Sequence, residues 1–410
     1  MADTFHPFED LLAVLEDRSF DRPPAVISNA HITGLAVARA LATADIPVIA
    51  LDQASNGVAT YSDAVTLGGA VTYPLSDRAG FKHDLEAIVD AAGTDVVAFG
   101  CMDEWVHALA RTDPDGVRLP FAPFETVDSV LNKATLYDRA RRLDVPIPRT
   151  FRLDEVDPDR AAEELGFPLV VKPALKRRFE DTFGTNLVIA DDRGEYDDIV
   201  AQADDAGLVV LAQEYIPKRQ GDLYTVGSYT APTDSDPITF VGRRQAVYPP
   251  DVGTTCLVES ATAPAIEADA RTILDDAGYY GISEAEFLYD RETDTYRLLD
   301  INTRPWKWVG LPVFAGANLP LAAYADVTNS SYDPGPTTDA TWVYLKDYAA
   351  LVAETEFADR LSATDWQSIL SGGFESNSRL TTAVYRPSDP APAYQLLSTE
   401  FGNNDYYCAC

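Results

Sequence analysis

The chain has 410 residues, 46% hydrophobic and 10% aromatic, which excludes a disordered polypeptide and is enough for about two or three domains with real cores. It carries 65 acidic against 32 basic residues, a formal net charge of −33 at pH 7, so its average field repels nucleic acid and anionic membrane surfaces. No apolar run reaches membrane length, and the four cysteines and four histidines show no paired ligand spacing.

The basic set is lopsided, seven lysines against 25 arginines. An acidic, lysine-poor surface resembles that of proteins from salt-loving, haloarchaeal-type cells. Self-repulsion at this charge is relieved by salt, so a halophilic protein that requires salt is expected. Unchanged melting between dilute buffer and molar KCl would contradict it. The first twenty residues have no basic leader and carry acids throughout their apolar part. They read as an amphipathic helix using Phe8, Leu11, Leu12 and Leu15 rather than a signal peptide, and a cytoplasmic location is the default expectation.

Pro24-Ala-Val-Ile-Ser28 reads as a strand, Leu35 to Thr43 as a helix and Ile46 to Leu51 as the next strand. A β-loop-α-β start implies a parallel sheet flanked by helices. The first loop supplies only Gly34, not G-x-G-x-x-G, which counts against a nicotinamide enzyme. Leu85 to Ala92 is a helix and Asp95 to Phe99 a strand. The loop after it, with Asp103 and Glu104, opens a helix at Trp105. These acids either meet a substrate ammonium at the strand edge or favour the helix dipole.

After a connection through Pro123, a helix is expected from near Val127 through Asn132-Lys133-Ala134, ending before Val145-Pro146-Ile-Pro148. Leu169 to Lys172 is a buried strand closed by Pro173. Leu208 to Ala212 is another, followed by Gln213-Glu-Tyr-Ile216. Leu223 to Tyr229 and Ile238 to Gly242 are further strands. Arg243 and Arg244 stand where a guanidinium clamps a carboxylate or phosphate, or else balance surface charge. Pro264 to Ala277 is a helix with proline in its first turn.

Residues 282–308 read as two strands and a turn. Alternation puts Glu284 and Glu286 on one face of the first strand, and Asp300 and Asn302 on one face of the second. Hard oxygens gathered this way suit Mg²⁺ (or Mn²⁺), which takes its other ligands from water and phosphates. The opposing reading is that acids are plentiful here and merely solvated. Trp306 and Trp308 either wall a pocket or pack. Lys307 stands where it could touch an anionic substrate.

An E-F strand, a short turn and an apolar strand ending Asp300-x-Asn302-x-Arg304 resembles the magnesium-binding hairpin of the ATP-grasp superfamily, with Asp300 replacing the usual Glu. The resemblance covers roughly residues 25–330. It implies an α/β and α+β architecture. A Rossmann-like domain (1–125) is followed by a two-lobed ATP-grasp domain (126–330, small lobe about 147–215). Residues 331–410 would form an α+β appendage. It further implies that Lys133 and Lys172 contact nucleotide phosphate, and that Lys176 to Thr185 is a mobile loop with backbone near Thr182, Gly184 and Thr185 cradling the triphosphate. Gln213, Glu214, Tyr215 and Ile216 would hold adenine, and Asp222 the ribose. Glu286, Asp300 and Asn302 would hold the metal, and Arg304, Lys172 and Arg243 would serve catalysis.

The activity so implied is that of a carboxylate–amine ligase, similar to the branch that includes D-aspartate ligase. ATP activates a carboxylate as an acyl phosphate, and an amine then displaces phosphate. Such catalysis is positioning and electrostatics, which agrees with the lack of a readable Ser/His/Asp or Cys/His set. Expected partners are small-molecule carboxylate and amine substrates, with no nucleic acid or membrane, and a homodimer by analogy. A phosphotransferase or carboxylase on the same fold, and a nucleotide-binding regulatory protein, remain as alternatives.

Overall fold

The apolar runs of the first third pair in parallel. The computed structural model describes residues 5–174, 176–233, 235–250, 253–354, 360–377 and 379–401. Its first sheet has six strands in the spatial order Phe5–His6, Leu67–Ala70, Val48–Asp52, Ala25–Ser28, Val96–Gly100, Val117–Arg118. Every pairing in it is parallel. Three central strands are buried along their whole length, because helices cover both faces. Alternate residues feed two cores: Ile27, Val48 and Ala50 one, Val26, Ile49 and Leu51 the other. The helix Phe8–Glu16 buries Leu11 and Leu15, as its amphipathic pattern implies. Strand order reverses between Ala25–Ser28 and Val96–Gly100, so the loops after these strands meet at a switch point.

One expected helix is two. Phe124–Leu131 stops at Asn132, whose extended backbone breaks the run and whose side chain caps the next helix, Lys133–Arg142, through the Ala134 amide. The break makes Lys133 a first-turn residue.

A small lobe follows, an antiparallel sheet ordered Thr150–Arg152, Val210–Glu214, Leu169–Pro173, Val188–Ala190. It has its own core, built on Leu169, Val171, Phe179 and Tyr196. The expected loop at 176–185 is instead helical over Lys176–Phe183, closed by Gly184 at φ 70°. Its helical pattern is amphipathic, and Phe179 is buried in the lobe core.

The large lobe is a seven-stranded sheet ordered Thr295–Asn302, Gly281–Asp290, Leu223–Thr230, Ile238–Tyr248, Thr254–Ala261, Thr341–Val343, Leu380–Thr382. The last two strands come from the stretch the sequence sets apart as an appendage, and here they extend this sheet. That stretch is also tied to the first domain: Asp389 accepts from Arg39 at 2.8 Å and from Ser62 at 2.6 Å. Cys101 and Cys256 are buried and free, whereas Cys408 and Cys410 lie outside the described residues.

Trp306 and Trp308 pack on the sheet. A Cβ at Gly227 would lie 2.2 Å from the Trp306 ring, and one at Gly242 2.5 Å from Trp308. Both tryptophans are 1% exposed, and packing is their role. Gly227→Ala is therefore expected to cost about 1–3 kcal/mol through overpacking. Thermal denaturation checks this, and an unchanged midpoint would show that the indole yields freely.

Candidate active site

A cavity opens between the two lobes. From the small lobe come Val170, Lys172, Ile189 and the segment Gln213 to Ile216; from the large lobe, Leu223, Glu286, Leu288, Leu299, Asp300 and Asn302. Lys133 enters from its helix. One part is therefore an apolar slot between Val170 and Ile189 of one lobe and Leu223, Leu288 and Leu299 of the other. Such a slot suits a flat ring. Beside it, the side chains of Gln213 and Glu214 are already committed. Gln213 donates to Thr150 Oγ1 at 2.7 Å, and Glu214 accepts from the Arg149 amide at 2.7 Å. What this segment offers a ligand is its backbone.

The other part is charged. The hairpin register sets Glu286 opposite Asp300 and Glu284 opposite Asn302. A bulge after Glu286 leaves Leu299 outside the ladder. Its carbonyl accepts from Tyr137 Oη at 2.7 Å and from Lys172 Nζ at 3.4 Å. Lys172 also donates to Tyr137 Oη, which ties strand, helix and bulge together. Lys133 pairs with Asp300 at 2.7 Å and Arg244 with Glu286 at 2.5 Å. Burial pulls the Lys172 ammonium down to about 8 although Asp300 and Glu286 pull upward. Burial also works against the Arg244 charge, but Glu286 and Glu284 outweigh it and its pKa is raised.

The structure brings together Lys133, Lys172, Gln213, Glu214, Tyr215, Ile216, Glu286, Asp300 and Asn302. Others lie elsewhere. Thr182, Gly184 and Thr185 stand off the cavity wall, which is formed here by Asn186 and Leu187. The helix Lys176–Phe183 takes up backbone donors that a loop would have offered, and Gly184 N bonds Glu180 O at 2.8 Å. The side chains of Lys176, Arg177 and Arg178 lie outside the described residues.

Asp222 is withdrawn as a ribose ligand. It is fully buried, held by Arg291 at 2.5 Å and by the Arg219 amide at 2.8 Å. Lys218 lines the cavity nearby. Arg243 is withdrawn as well: register puts it with Tyr224 and Phe287 on the opposite sheet face, and it donates to Gly221 O at 2.7 Å. Arg244, one residue on, faces the carboxylates. Arg304 is 4% exposed and bonded to Asp103 at 2.5 Å, so it joins the large lobe to the first turn of the helix Asp103–Thr112 at the switch point of the first domain. Asp103 thus has a partner inside the protein. Lys307 is buried against Asp347.

Tyr137 was missed, though it lies four residues after Lys133, on the same helix face. Among the described residues no group of three or more His, Cys, Asp or Glu gathers as a metal site. The set available is two opposed carboxylates and an amide, already countered by cations. Hard oxygens in this arrangement fit Mg²⁺ completed by phosphates and water.

No protein-family model matches the sequence. The chain is similar to the D-aspartate ligase of Enterococcus faecium (strain Aus0004), 22% identical over 213 residues, 49% of this chain and 50% of that protein. It thus spans about half the length of the curated relative it matches. Among solved structures it superposes on N5-carboxyaminoimidazole synthetase from Staphylococcus aureus complexed with ADP, with TM-score 0.62, 13% identity, and 84% of this chain and 88% of that one covered. The Aspergillus clavatus carboxyaminoimidazole ribonucleotide synthase complexed with ATP gives 0.61, 16%, 83% and 87%. The L-amino acid ligase from Bacillus licheniformis gives 0.56, 14%, 78% and 76%. The fold is that of the ATP-grasp enzymes. No helix among the described residues is long and apolar enough to cross a membrane.

Proposed function

We propose that the chain is an ATP-dependent carbon–nitrogen ligase that activates a substrate carboxylate and joins it to an amine. The observation that carries this is the meeting of Lys133, Lys172 and Arg244 with Glu286 and Asp300 beside an apolar slot between two lobes. The slot takes adenine, with the backbone of Glu214 to Ile216 at its edge. Mg²⁺ or Mn²⁺, held by Glu286, Asp300 and Asn302, supplies neutralisation of phosphate charge when bound.

The basic side chains do the rest. Lys133 and Arg244 sit on the carboxylates. Phosphate oxygens give them, and Lys172, an anionic partner as the γ-phosphoryl group moves to the substrate carboxylate. The acyl phosphate then meets the amine, giving an amide, ADP and phosphate. Arg304 holds the first domain against this site. The likeness to D-aspartate ligase suggests an amino acid as one substrate.

The test is ADP release with Mg-ATP in molar KCl, against amino acids, dicarboxylates and amines singly and in pairs. A ligase requires one carboxylate and one amine and yields a mass equal to their condensation product. A phosphorylated or carboxylated single substrate would replace this reading with a phosphotransferase or carboxylase.

Lys172 sets a pH dependence. With its pKa lowered to about 8 by burial, it is charged below that pH and increasingly neutral above it. Phosphate binds the ammonium, so nucleotide affinity is expected to fall as pH rises through 8, by up to about tenfold per unit. Calorimetric titration across this range checks it. Lys172→Arg should remove the inflection, and a flat wild-type profile would contradict the assignment.

A further inference from the structure

We propose that Glu284 is a positioning residue for the cation seat, fixing the side-chain amide of Asn302 so that its oxygen is the atom offered to a metal. This rests on the ligase reading above. With two carboxylates available, the third protein ligand is an amide, and an amide can face either way. Asn302 lines the cavity, while Glu284 stands behind it at 4% exposure. They are direct partners in the hairpin register, and Asn302 Nδ2 donates to Glu284 Oε2 at 3.0 Å. The ionised carboxylate only accepts, and in this geometry the NH₂ of Asn302 faces Glu284. Oδ1 is then the atom left for a cation. The other oxygen, Glu284 Oε1, lies 3.5 Å from Arg244 Nη2, the atom that also reaches Glu286. One buried carboxylate therefore orients both a metal ligand and the guanidinium beside it.

The test is Mn²⁺ binding by electron paramagnetic resonance to the full chain with a non-hydrolysable ATP analogue. Glu284→Gln keeps the shape but lets the facing amides pair either way round. It is expected to weaken Mn²⁺ binding by roughly 10–100-fold, as losses behind a metal ligand do. The swap E284Q/N302D restores a fixed polarity: the amide now on the first strand donates, and the carboxylate now on the second offers oxygen whichever way it turns. It should return Mn²⁺ affinity toward the wild-type value. Should E284Q fail to fold, E284D keeps the charge but draws the acceptor back from Asn302, and wild-type Mn²⁺ affinity in it overturns the proposal. Wild-type Mn²⁺ affinity in E284Q, or a swap no better than E284Q, overturns the proposal. A wild-type chain that binds neither analogue nor Mn²⁺ overturns the ligase reading, and this with it. Binding by wild type and E284Q alike overturns the role of Glu284 alone.

Discussion

Glu286→Gln is expected to reduce ADP formation by at least about 10²–10³-fold, the loss that follows removal of one preorganised charge contact from a reaction site. The substitution keeps volume and removes the charge. Two things go with it. The cation seat loses one of its two carboxylates, and Arg244 loses the partner it holds at 2.5 Å. Arg244 then has Glu284 as its remaining carboxylate, and the guanidinium is drawn back from the phosphate path. The hairpin itself should survive, since its strands are held by the backbone ladder and by buried Ala285, Phe287, Leu298 and Ile301. Steady-state ADP release and a melting curve, measured together, check this. Retained turnover on a folded variant would refute the assignment of Glu286.

The second large effect is on stability. Lys307 is 7% exposed, with Nζ 3.1 Å from Asp347 Oδ2, 2.7 Å from Thr254 Oγ1 and 4.5 Å from the centre of the Tyr344 ring. Burial pulls its pKa down while Asp347 opposes that, the mark of a charge kept in the interior by its partner. Lys307→Met leaves Asp347 buried without its cation, and breaking such a pair costs about 3–5 kcal/mol. The loss should fall where the helix Leu345–Glu354 meets the large-lobe sheet. The double variant K307M/D347L removes the orphaned carboxylate and should recover much of the loss. Denaturant midpoints decide it. A stable Lys307→Met that has lost substrate affinity would instead return Lys307 to the substrate, as the sequence alone allows.

The hairpin was legible because both of its signals are local. Alternation predicts which acids share a face, and the turn fixes how the strands meet. Glu286 opposite Asp300 needs one thing more, the bulge at Leu299, since the register set by the turn alone would put Leu299 there. Lys133 and Lys172 were legible through a likeness of pattern in a chain with seven lysines. The choice between Arg243 and Arg244 was not. Adjacent residues on a strand face opposite ways, and which way depends on the register with Leu223–Thr230, a non-local fact. Asp222 failed for a similar reason, since its partner Arg291 is 69 residues on. The helix at 176–183 is masked by its basic residues, and its anchor is the single buried apolar residue Phe179. Tail strands joined to the large-lobe sheet could not be read, because pairing at a sheet edge leaves no signature in either segment.

The measurement that bears most directly on the central claim is calorimetric titration of Mg²⁺ and a non-hydrolysable ATP analogue into the wild-type chain and into a Lys133→Met/Lys172→Met variant, both in molar KCl. Saturable binding at one site per chain, lost in the folded double variant, is the expected result. No binding to the wild type, or equal binding to both, would contradict the placement of ATP between the lobes.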